Sequence, residues 1–265
     1  MECLYCGDCL EIMRTMESDS VDLVIASPPY EAARAYGIDF NLQGQNWVDW
    51  AVSRYVECYR VSRGLVAWVV AGNTRNFRWS ATPALLMADL HRQGIKLRTP
   101  PIYHRVGIPG SGGPDWWRND YEFVVCASKG KLPWSDNTAI GHPPKYKPGG
   151  TPSHHTRNGR VGGRKYTQPS RANPGNLIWC HGGGNHFGDR LAHENEAPFP
   201  EKLAEAFVVS FCKPGGVVLD CFCGSGTTLV AAKQNGRSAI GIDIRGSQIE
   251  LAQRRLANRD LPTTA

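Results

Sequence analysis

The chain has 265 residues, of which 41% are hydrophobic and 20% charged, a composition that fits one substantial globular α/β domain and excludes fibrous chains. Its longest apolar runs are far shorter than the roughly 20 residues of a membrane span, and no signal peptide precedes them, so we expect a cytoplasmic protein. The formal net charge of +6 is a modest basic excess, and nine cysteines without a secretory signal argue against a disulfide framework.

The first residues predict a strand followed by the start of a helix. Three cysteines, each separated from the next by two residues, cross this boundary at Cys3, Cys6 and Cys9. Such a run is compatible with zinc or an iron–sulfur cluster, but its position across a strand and a helix start favours cysteines packed in the core. We therefore predict no metal site.

A short apolar run from Val21 to Ala26 predicts a buried parallel strand that ends in an unusual turn. The next four residues are Ser27, Pro28, Pro29 and Tyr30. Each proline lacks an N–H and pushes the residue before it out of the helical region, so we expect a stiff, extended turn. A rigid turn at the carboxyl end of a strand can fix the position of reactive groups.

The residues after this turn alternate between helix and strand patterns. Apolar and aromatic residues at helical spacing predict a helix over residues 46–59, and an apolar run predicts a strand over residues 66–71. A second helix is expected from Thr82, as its cap, to Gly94. Two further strands follow near residues 97–105 and 121–127.

From residue 129 to residue 176 regular patterning stops and basic residues accumulate. Residues 137–188 contain no Asp or Glu but carry seven basic side chains, which are Lys145, Lys147, Arg157, Arg160, Arg164, Lys165 and Arg171. Because phosphate contacts dominate affinity for nucleic acids, a folded segment of this kind would face a polyanion. The alternative is a disordered, solvated loop.

The last third of the chain predicts a βαβα unit after a helix over residues 200–211. A loop with Gly224 and Gly226 joins the first strand of this unit to its helix, and Asp220 and Asp243 stand at the ends of the two strands. Such a loop lets backbone N–H groups approach a ligand, and the second acidic residue can accept both hydroxyls of a ribose. We predict a nucleoside-containing cofactor. Leu229 replaces the third glycine of the dinucleotide fingerprint, which disfavours NAD.

Five stretches carry a family resemblance, and in chain order they read GDCLEIM, VDLVIASPPY, HENEAPFPEKL, VVLDCFCGSGTTLVAA and GRSAIGIDI. On these motifs the chain resembles the β-group of DNA amino-methyltransferases, in which the catalytic motif precedes the S-adenosylmethionine motif. The resemblance implies an α/β, Rossmann-like, S-adenosylmethionine-dependent methyltransferase fold with a mostly parallel seven-stranded sheet and helices on both faces. The chain departs from the family pattern in HENEAP, where residues are inserted after His193.

The resemblance also implies which residues bind the cofactor. Asp8 would hold the adenine and Asp243 the ribose. Pro198 and Phe199 belong to the segment beside the cofactor carboxylate. The methionine and ribose part would be lined by Asp220, Phe222, Gly224, Ser225, Gly226 and Thr227.

The catalytic residues implied by the resemblance are those of the Ser27 to Tyr30 turn. The amino group of cytosine or adenine is a poor nucleophile, because its lone pair is delocalised into the ring. The Ser27 hydroxyl and the Pro28 carbonyl would accept the amino hydrogens, and Tyr30 would stack on a base flipped out of the duplex. In the family a Ser at the first position accompanies mostly cytosine N4 and an Asp mostly adenine N6. N4-cytosine is therefore the preferred target, with N6-adenine as the alternative.

The resemblance divides the chain into a catalytic half (1–130), a basic target-recognition insertion (131–188) and a cofactor-binding half (189–265). The seven basic residues would contact the phosphates of double-stranded DNA, and Trp116 and Trp117 would either lie near the DNA or simply pack. A cognate restriction endonuclease is a candidate partner, and a monomer and a homodimer are both open. The alternative functions are a non-catalytic DNA-binding protein and a methyltransferase acting on RNA or a small molecule.

Overall fold

The computed structural model describes residues 2–31, 40–106, 115–145, 153–163, 167–181, 190–195, 197–198 and 200–258. Its helices are α1 (Cys9–Thr15), α2 (Gly44–Val61), α3 (Thr82–Arg92), α4 (Glu201–Phe211), α5 (Thr227–Gln234) and α6 (Gly246–Asn258), with a short 3₁₀ helix at Arg190–Glu194. Its strands are β1 (Glu2–Cys6), β2 (Val21–Ala26), β3 (Ser62–Val70), β4 (Thr74–Arg75), β5 (Arg78–Trp79), β6 (Ile102–Val106), β7 (Tyr121–Ala127), β8 (Ser153–Thr156), β9 (Gly159–Gly162), β10 (Leu177–His181), β11 (Val217–Asp220) and β12 (Ser238–Asp243).

One large sheet organises these elements. It contains eight strands in the order β1, β12, β11, β2, β3, β7, β6, β10, which is one more than the seven predicted. The neighbouring strands are parallel except at β7, which runs antiparallel to β3 and to β6. The additional strand is β10, which pairs in parallel with β6 at the edge of the sheet. The mostly parallel α/β fold is therefore confirmed.

Strand β2 shows that helices cover both faces of the sheet. All six of its residues are buried. Val24 and Ala26 belong to a hydrophobic core that includes residues of α2 and α3, whereas Leu23 and Ile25 belong to a second core with residues of α4, α5 and α6. Alternate side chains of a strand point to opposite faces, so each core receives one set.

The pairing of β2 with β11 brings distant parts of the chain together. Val24 lies opposite Leu219 in this parallel pair. The Val217 N–H also donates to Asp22 Oδ2 at 2.9 Å, across 195 positions of sequence. The carboxyl ends of adjacent parallel strands meet at one edge of a sheet, which is where α/β proteins bind ligands. The turn that starts at Ser27 and the loop that follows β11 therefore lie side by side.

Three local predictions differ from the structure. Ala81, with a left-handed φ of 57°, caps α3, so Thr82 is the first helical residue and not the cap. The strand expected near 97–105 spans only Ile102–Val106, because the two prolines before it cannot donate backbone hydrogen bonds. In the segment without regular patterning, β8 and β9 pair as an antiparallel hairpin. Among the helices of the described ranges, none is long and apolar enough to cross a membrane.

Candidate active site

The turn after β2 is held against its neighbours by hydrogen bonds. The Ser27 hydroxyl lies 3.4 Å from the carbonyl oxygen of Val69, near the end of the adjacent strand β3. The Trp47 indole N–H donates to the carbonyl oxygen of Pro29 at 2.9 Å. Trp47 is completely buried in α2, so this bond fixes the turn to the core. The stiffness expected of two consecutive prolines is thus reinforced by contacts on both sides of the turn.

A chain of hydrogen bonds leads from Ser27 into the sheet. The Ser27 hydroxyl donates to the Tyr30 hydroxyl at 3.2 Å, and the Tyr30 hydroxyl donates to Glu122 Oε2 at 2.6 Å. The other oxygen of Glu122 lies 3.5 Å from Arg105 Nη1 on β6. Glu122 is buried at the start of β7. We call this series of contacts from Ser27 through Tyr30 to Glu122 the hydroxyl relay.

Glu122 is a site residue that the sequence analysis missed. It stands in the apolar run Tyr121–Ala127, where it is the single charged side chain. Charged residues are seldom buried unless they are paired or hydrogen-bonded. A carboxylate inside an apolar strand was therefore the available signal.

On the other side of the turn, Asp220 ends β11 and is buried. Burial raises the pKa of Asp220 to about 7, and the nearby negative charge of Asp243 adds to this effect. The Phe222 N–H, which donates to Asp220 Oδ1 at 3.1 Å, acts in the opposite direction. A carboxyl group poised near neutrality, at the edge of the sheet where ligands bind, is a functional-site signal.

The glycine-rich loop is tied to the next strand. The Gly224 N–H donates to Asp243 Oδ2 at 3.0 Å. Gly224 has a left-handed φ of 49°, and a Cβ there would lie 2.7 Å from Asn195 Nδ2. Asn195 comes from the HENEAP segment, so this part of the segment lies against the loop. Gly226, with φ 80°, is close to α6 instead, since its Cβ would lie 2.9 Å from that of Ala252.

Two hydroxyls of the loop point towards α6. Arg255 Nη1 donates to Ser225 Oγ at 3.1 Å and to Thr227 Oγ1 at 3.0 Å, and all three residues are buried. Arg255 also donates to the Ser225 carbonyl oxygen at 2.9 Å. These side chains therefore hold the loop on α6. Because the Ser225 and Thr227 side chains bind Arg255, only their backbone atoms and the neighbouring residues are available to a cofactor.

Asp8 lies at the start of α1, where it caps the helix. Its Oδ1 accepts from the Leu10 N–H at 2.7 Å, and its Oδ2 accepts from Arg54 Nη2 at 2.8 Å. Burial acts to raise the pKa of Asp8, but the bonds from Arg54 and Leu10 outweigh it and lower the pKa. Arg54 also lies 4.6 Å above the Trp50 ring, which is 5.6 Å from the ring of Phe222. Asp8 and Phe222 thus share one aromatic-lined region.

The remaining predicted site residues are Pro198, Phe199 and the seven basic residues. Pro198 is half-buried, and Phe199 lies outside the described residues. Lys145, Arg157 and Arg171 are exposed. Arg171 donates to the Gly141 carbonyl oxygen at 2.7 Å, which ties two parts of the basic segment together. Lys147, Arg164, Lys165 and the side chain of Arg160 lie outside the described residues.

The two tryptophans of the 104–120 stretch are not core residues. Trp116 is 76% exposed and Trp117 is 87% exposed, with ring centroids 6.4 Å apart. They lie in the connection between β6 and β7, six and five positions before Glu122. Their packing into the core, one of the two alternatives, is excluded.

The cysteines do not form a ligand set. Cys9, Cys58 and Cys221 are buried in one core cluster, with the sulfurs of Cys58 and Cys221 3.5 Å apart, whereas Cys6 is exposed. The described residues contain no group of three or more His, Cys, Asp or Glu side chains that could hold a metal ion. All nine cysteines are free thiols.

The fold and the site define a Rossmann-like α/β protein with a glycine-rich loop after β11 beside a rigid Ser-Pro-Pro-Tyr turn. A family model described as DNA methylase, covering N6 and N4 methyltransferases, matches residues 21–254. This chain belongs to that DNA methylase family.

Individual relatives agree with the family. The orphan methyltransferase M.BamHII of Bacillus amyloliquefaciens is 30% identical over 252 residues, which cover 90% of this chain and 89% of that protein. The DNA adenine methyltransferase YhdJ of Escherichia coli strain K12 is 26% identical, over 94% of this chain and 81% of its own length. Among solved structures, the cytosine-N4-specific PvuII DNA methyltransferase matches with a TM-score of 0.70 and 20% identity, over 100% of this chain and 88% of that one. The chain is a DNA methyltransferase of the N4/N6 type.

Proposed function

We propose that this protein transfers a methyl group to the exocyclic N4 amino group of a cytosine flipped out of duplex DNA. The observation that carries the proposal is the hydroxyl relay, which places a neutral oxygen acceptor, Ser27 Oγ, at the carboxyl end of β2.

The cofactor is S-adenosylmethionine, which supplies an electrophilic methyl group. The residues at the site fit this molecule. The Asp243 carboxylate suits the ribose hydroxyls. The Asp220 carboxylate suits the cationic methionine end of the cofactor. A Cβ at Gly224 would lie only 2.7 Å from Asn195 Nδ2, so the loop requires a glycine at this position. Asp8, with the aromatic ring of Phe222, suits the adenine end.

The hydroxyl relay fixes the direction in which the Ser27 hydroxyl donates its hydrogen bond. An ionised carboxylate is an acceptor only, so Glu122 at the end of the relay directs the Tyr30 O–H towards itself, and Tyr30 then accepts from Ser27. With its proton directed inward, Ser27 Oγ presents lone pairs to an amino group. A neutral hydroxyl can thereby act as an acceptor, in the position where adenine enzymes of the family mostly use a carboxylate. Arg105 stabilises the negative charge of Glu122.

Accepting the amino hydrogens is the chemical task of this site. Hydrogen bonds to Ser27 Oγ and the Pro28 carbonyl would hold the amino group so that its lone pair turns away from the base ring. Preorganised acceptors of this kind act without reorganising during the reaction. Tyr30, with its ring orientation fixed by Glu122, would stack on the flipped base. Such stacking contributes about 1–3 kcal/mol, which offsets part of the free-energy cost of unstacking the base from the duplex.

The basic segment is proposed to hold the DNA. The structure describes a β8–β9 hairpin whose two-residue turn contains Arg157, an exposed side chain. Exposed Lys145 belongs to the same acid-free segment. Contacts of this kind would position the duplex through its phosphates, while other side chains read the bases. A DNA substrate supports a cytoplasmic location, which is part of the proposal.

Adenine N6 is the second candidate, because one 26% identical relative is a DNA adenine methyltransferase. The decisive experiment is methylation of duplex DNA by the purified protein, followed by digestion to nucleosides and mass spectrometry. N4-methylcytosine is the expected product. N6-methyladenine alone would overturn the choice of base, and transfer to RNA in preference to DNA would overturn the choice of substrate.

A further inference from the structure

The β4–β5 hairpin, formed by residues 74–79, lies close to the catalytic turn. It follows β3, which is parallel to β2 and therefore ends at the same edge of the sheet. The carbonyl of Val69 in β3 contacts Ser27, and the hairpin begins four residues after Val70, the last residue of the strand. Four extended residues span at most about 14 Å, so the base of the hairpin is near the place where the target base must lie.

The tip of this hairpin has an unusual side chain in an unusual conformation. Its two central residues, Asn76 and Phe77, have φ of 50° and 60°, the left-handed values of a two-residue hairpin turn. Asn is common in this conformation, but a bulky aromatic residue is an outlier that costs about 1–2 kcal/mol. Phe77 is nevertheless 95% exposed. A strained, exposed phenylalanine contributes nothing to the stability of the fold described here.

The two arms of the hairpin are joined at its base, so the hairpin keeps its shape. The Asn73 N–H donates to Ser80 Oγ at 3.0 Å, and the Ser80 N–H donates to the Asn73 carbonyl oxygen at 2.8 Å. The Trp79 indole lies against Gly72, where a Cβ would come within 2.2 Å of Nε1. Gly72 therefore lets Trp79 fold back towards the sheet edge.

The charges around the tip indicate its partner. Phe77 lies between Arg75 and Arg78, both exposed, and residues 74–79 contain no Asp or Glu. An apolar tip flanked by two guanidinium groups fits a polyanion with an apolar interior. Proteins that kink or open duplex DNA insert apolar side chains between bases in this way, while basic residues bind the phosphates.

We propose that the β4–β5 hairpin enters the DNA duplex at the target base and that Phe77 fills the space from which the base is extruded. Arg75 and Arg78 bind the flanking phosphates. Filling the gap offsets part of the few kcal/mol that unstacking and unpairing cost. This inference rests on the proposed function, because it requires a flipped base in duplex DNA.

The test compares paired and unpaired target bases. Phe77→Ala is assayed on a short duplex that carries the sequence methylated in an expressing host, and on the same duplex with a mismatch at the target base. A mismatched base costs less to extrude, so the variant should lose about tenfold or more of its methyl-transfer rate on the paired duplex but only about twofold on the mismatched one. Phe77→Leu, which keeps an apolar wedge, should retain most of the rate.

A control variant and two further measurements distinguish insertion of Phe77 into DNA from a role in folding or in cofactor binding. Leu85→Ala removes an apolar side chain that is 37% exposed on α3 and should leave both rates unchanged. With pyrrolocytosine, a fluorescent cytosine analogue that pairs with guanine, at the target position, the wild type should raise the fluorescence, and Phe77→Ala should raise it less. S-adenosylmethionine affinity, measured by calorimetry, should be the same for wild type and variant.

Several results would overturn the inference. Equal rates for Phe77→Ala and wild type on the paired duplex would do so, as would an equal loss on both duplexes. A dimer in the wild type that Phe77→Ala dissociates would instead assign the tip to contact with a second copy of the chain. A wild-type protein that binds S-adenosylmethionine but methylates no DNA would contradict the proposed function itself, and with it this inference.

Discussion

Tyr30 donates a 2.6 Å hydrogen bond to the buried carboxylate of Glu122, 92 positions further along the chain. The bond links the catalytic turn after β2 to the antiparallel strand β7. It fixes the ring that would stack on the target base, and it orients the hydroxyl of Ser27. In the proposed mechanism Glu122 is therefore a positioning residue, which would act on the reacting groups through Tyr30.

Glu122→Gln should slow methyl transfer without disturbing cofactor binding. The substitution replaces an acceptor-only group by one that can also donate, and loss of a charge-assisted hydrogen bond corresponds to about ten- to a hundredfold in rate. The fall should appear in kcat, with the S-adenosylmethionine Kd from calorimetry unchanged. Glu57→Gln, which breaks the ion pair with Arg60 on α2, is the matched control and should be silent. An unchanged kcat for Glu122→Gln would remove the relay from the mechanism.

Tyr30→Phe tests the same relay from its middle. This variant keeps the ring for stacking but removes the hydroxyl, so it should lose about as much rate as Glu122→Gln. Because the two residues act in one series, the double variant should be little worse than either single one. Measured losses that simply multiply would mean that the two side chains act independently.

Ser27→Ala removes the acceptor itself and should cost about a hundredfold or more in kcat, in the range of other preorganised hydrogen-bond partners. The substitution creates little space, so stability and cofactor affinity should be close to those of the wild type. Ser53→Ala, which loses a hydroxyl bonded to the Trp50 carbonyl within α2, provides the control. Full activity of Ser27→Ala would contradict the mechanism for either base.

Asp220 should make the stability of the protein depend on pH. Its pKa is raised from 3.8 to about 7 in the folded state, so its contribution is fully present below pH 3.8 and is lost as the pH rises to about 7. The loss is at most on the order of 4 kcal/mol. Asp220→Asn cannot ionise. Urea unfolding should therefore show equal stability of the two proteins near pH 4 and greater stability of the variant at pH 8, and a constant difference across this range would refute the assignment.

Alanine substitutions at Gly226 and Gly94 distinguish the free-energy cost of backbone strain from that of a steric clash. Both have φ close to 80°, but a Cβ at Gly226 would lie 2.9 Å from that of Ala252, whereas one at Gly94 meets nothing within 4 Å. Gly94→Ala should therefore cost only about 1 kcal/mol of unfolding free energy, and Gly226→Ala about 2–4 kcal/mol. Chemical denaturation measures both values. Equal costs would show that α6 moves away from the loop without penalty.

The sequence predicted most elements of the sheet because their signals are local. Val21 to Ala26 is apolar throughout and is followed by two prolines, so both the buried strand and its end could be recognised. The glycine-rich loop and the two acidic residues at strand ends likewise predicted a cofactor site. The β8–β9 hairpin was missed, because its polar and glycine-rich strands lack the apolar alternation that marks a strand.

The sequence by itself determined the strands and helices of the βαβα unit, the rigid Ser-Pro-Pro-Tyr turn and the class of cofactor, since each of these has a local signal. Only the tertiary structure decided that Glu122 meets Tyr30, that Arg255 engages Ser225 and Thr227, and that Phe77 is exposed at the tip of the β4–β5 hairpin. These contacts join residues that are far apart in the chain. They depend on the parallel pairing of β2 with β3 and β11 and on the reversal of direction at β7, which no local pattern specifies.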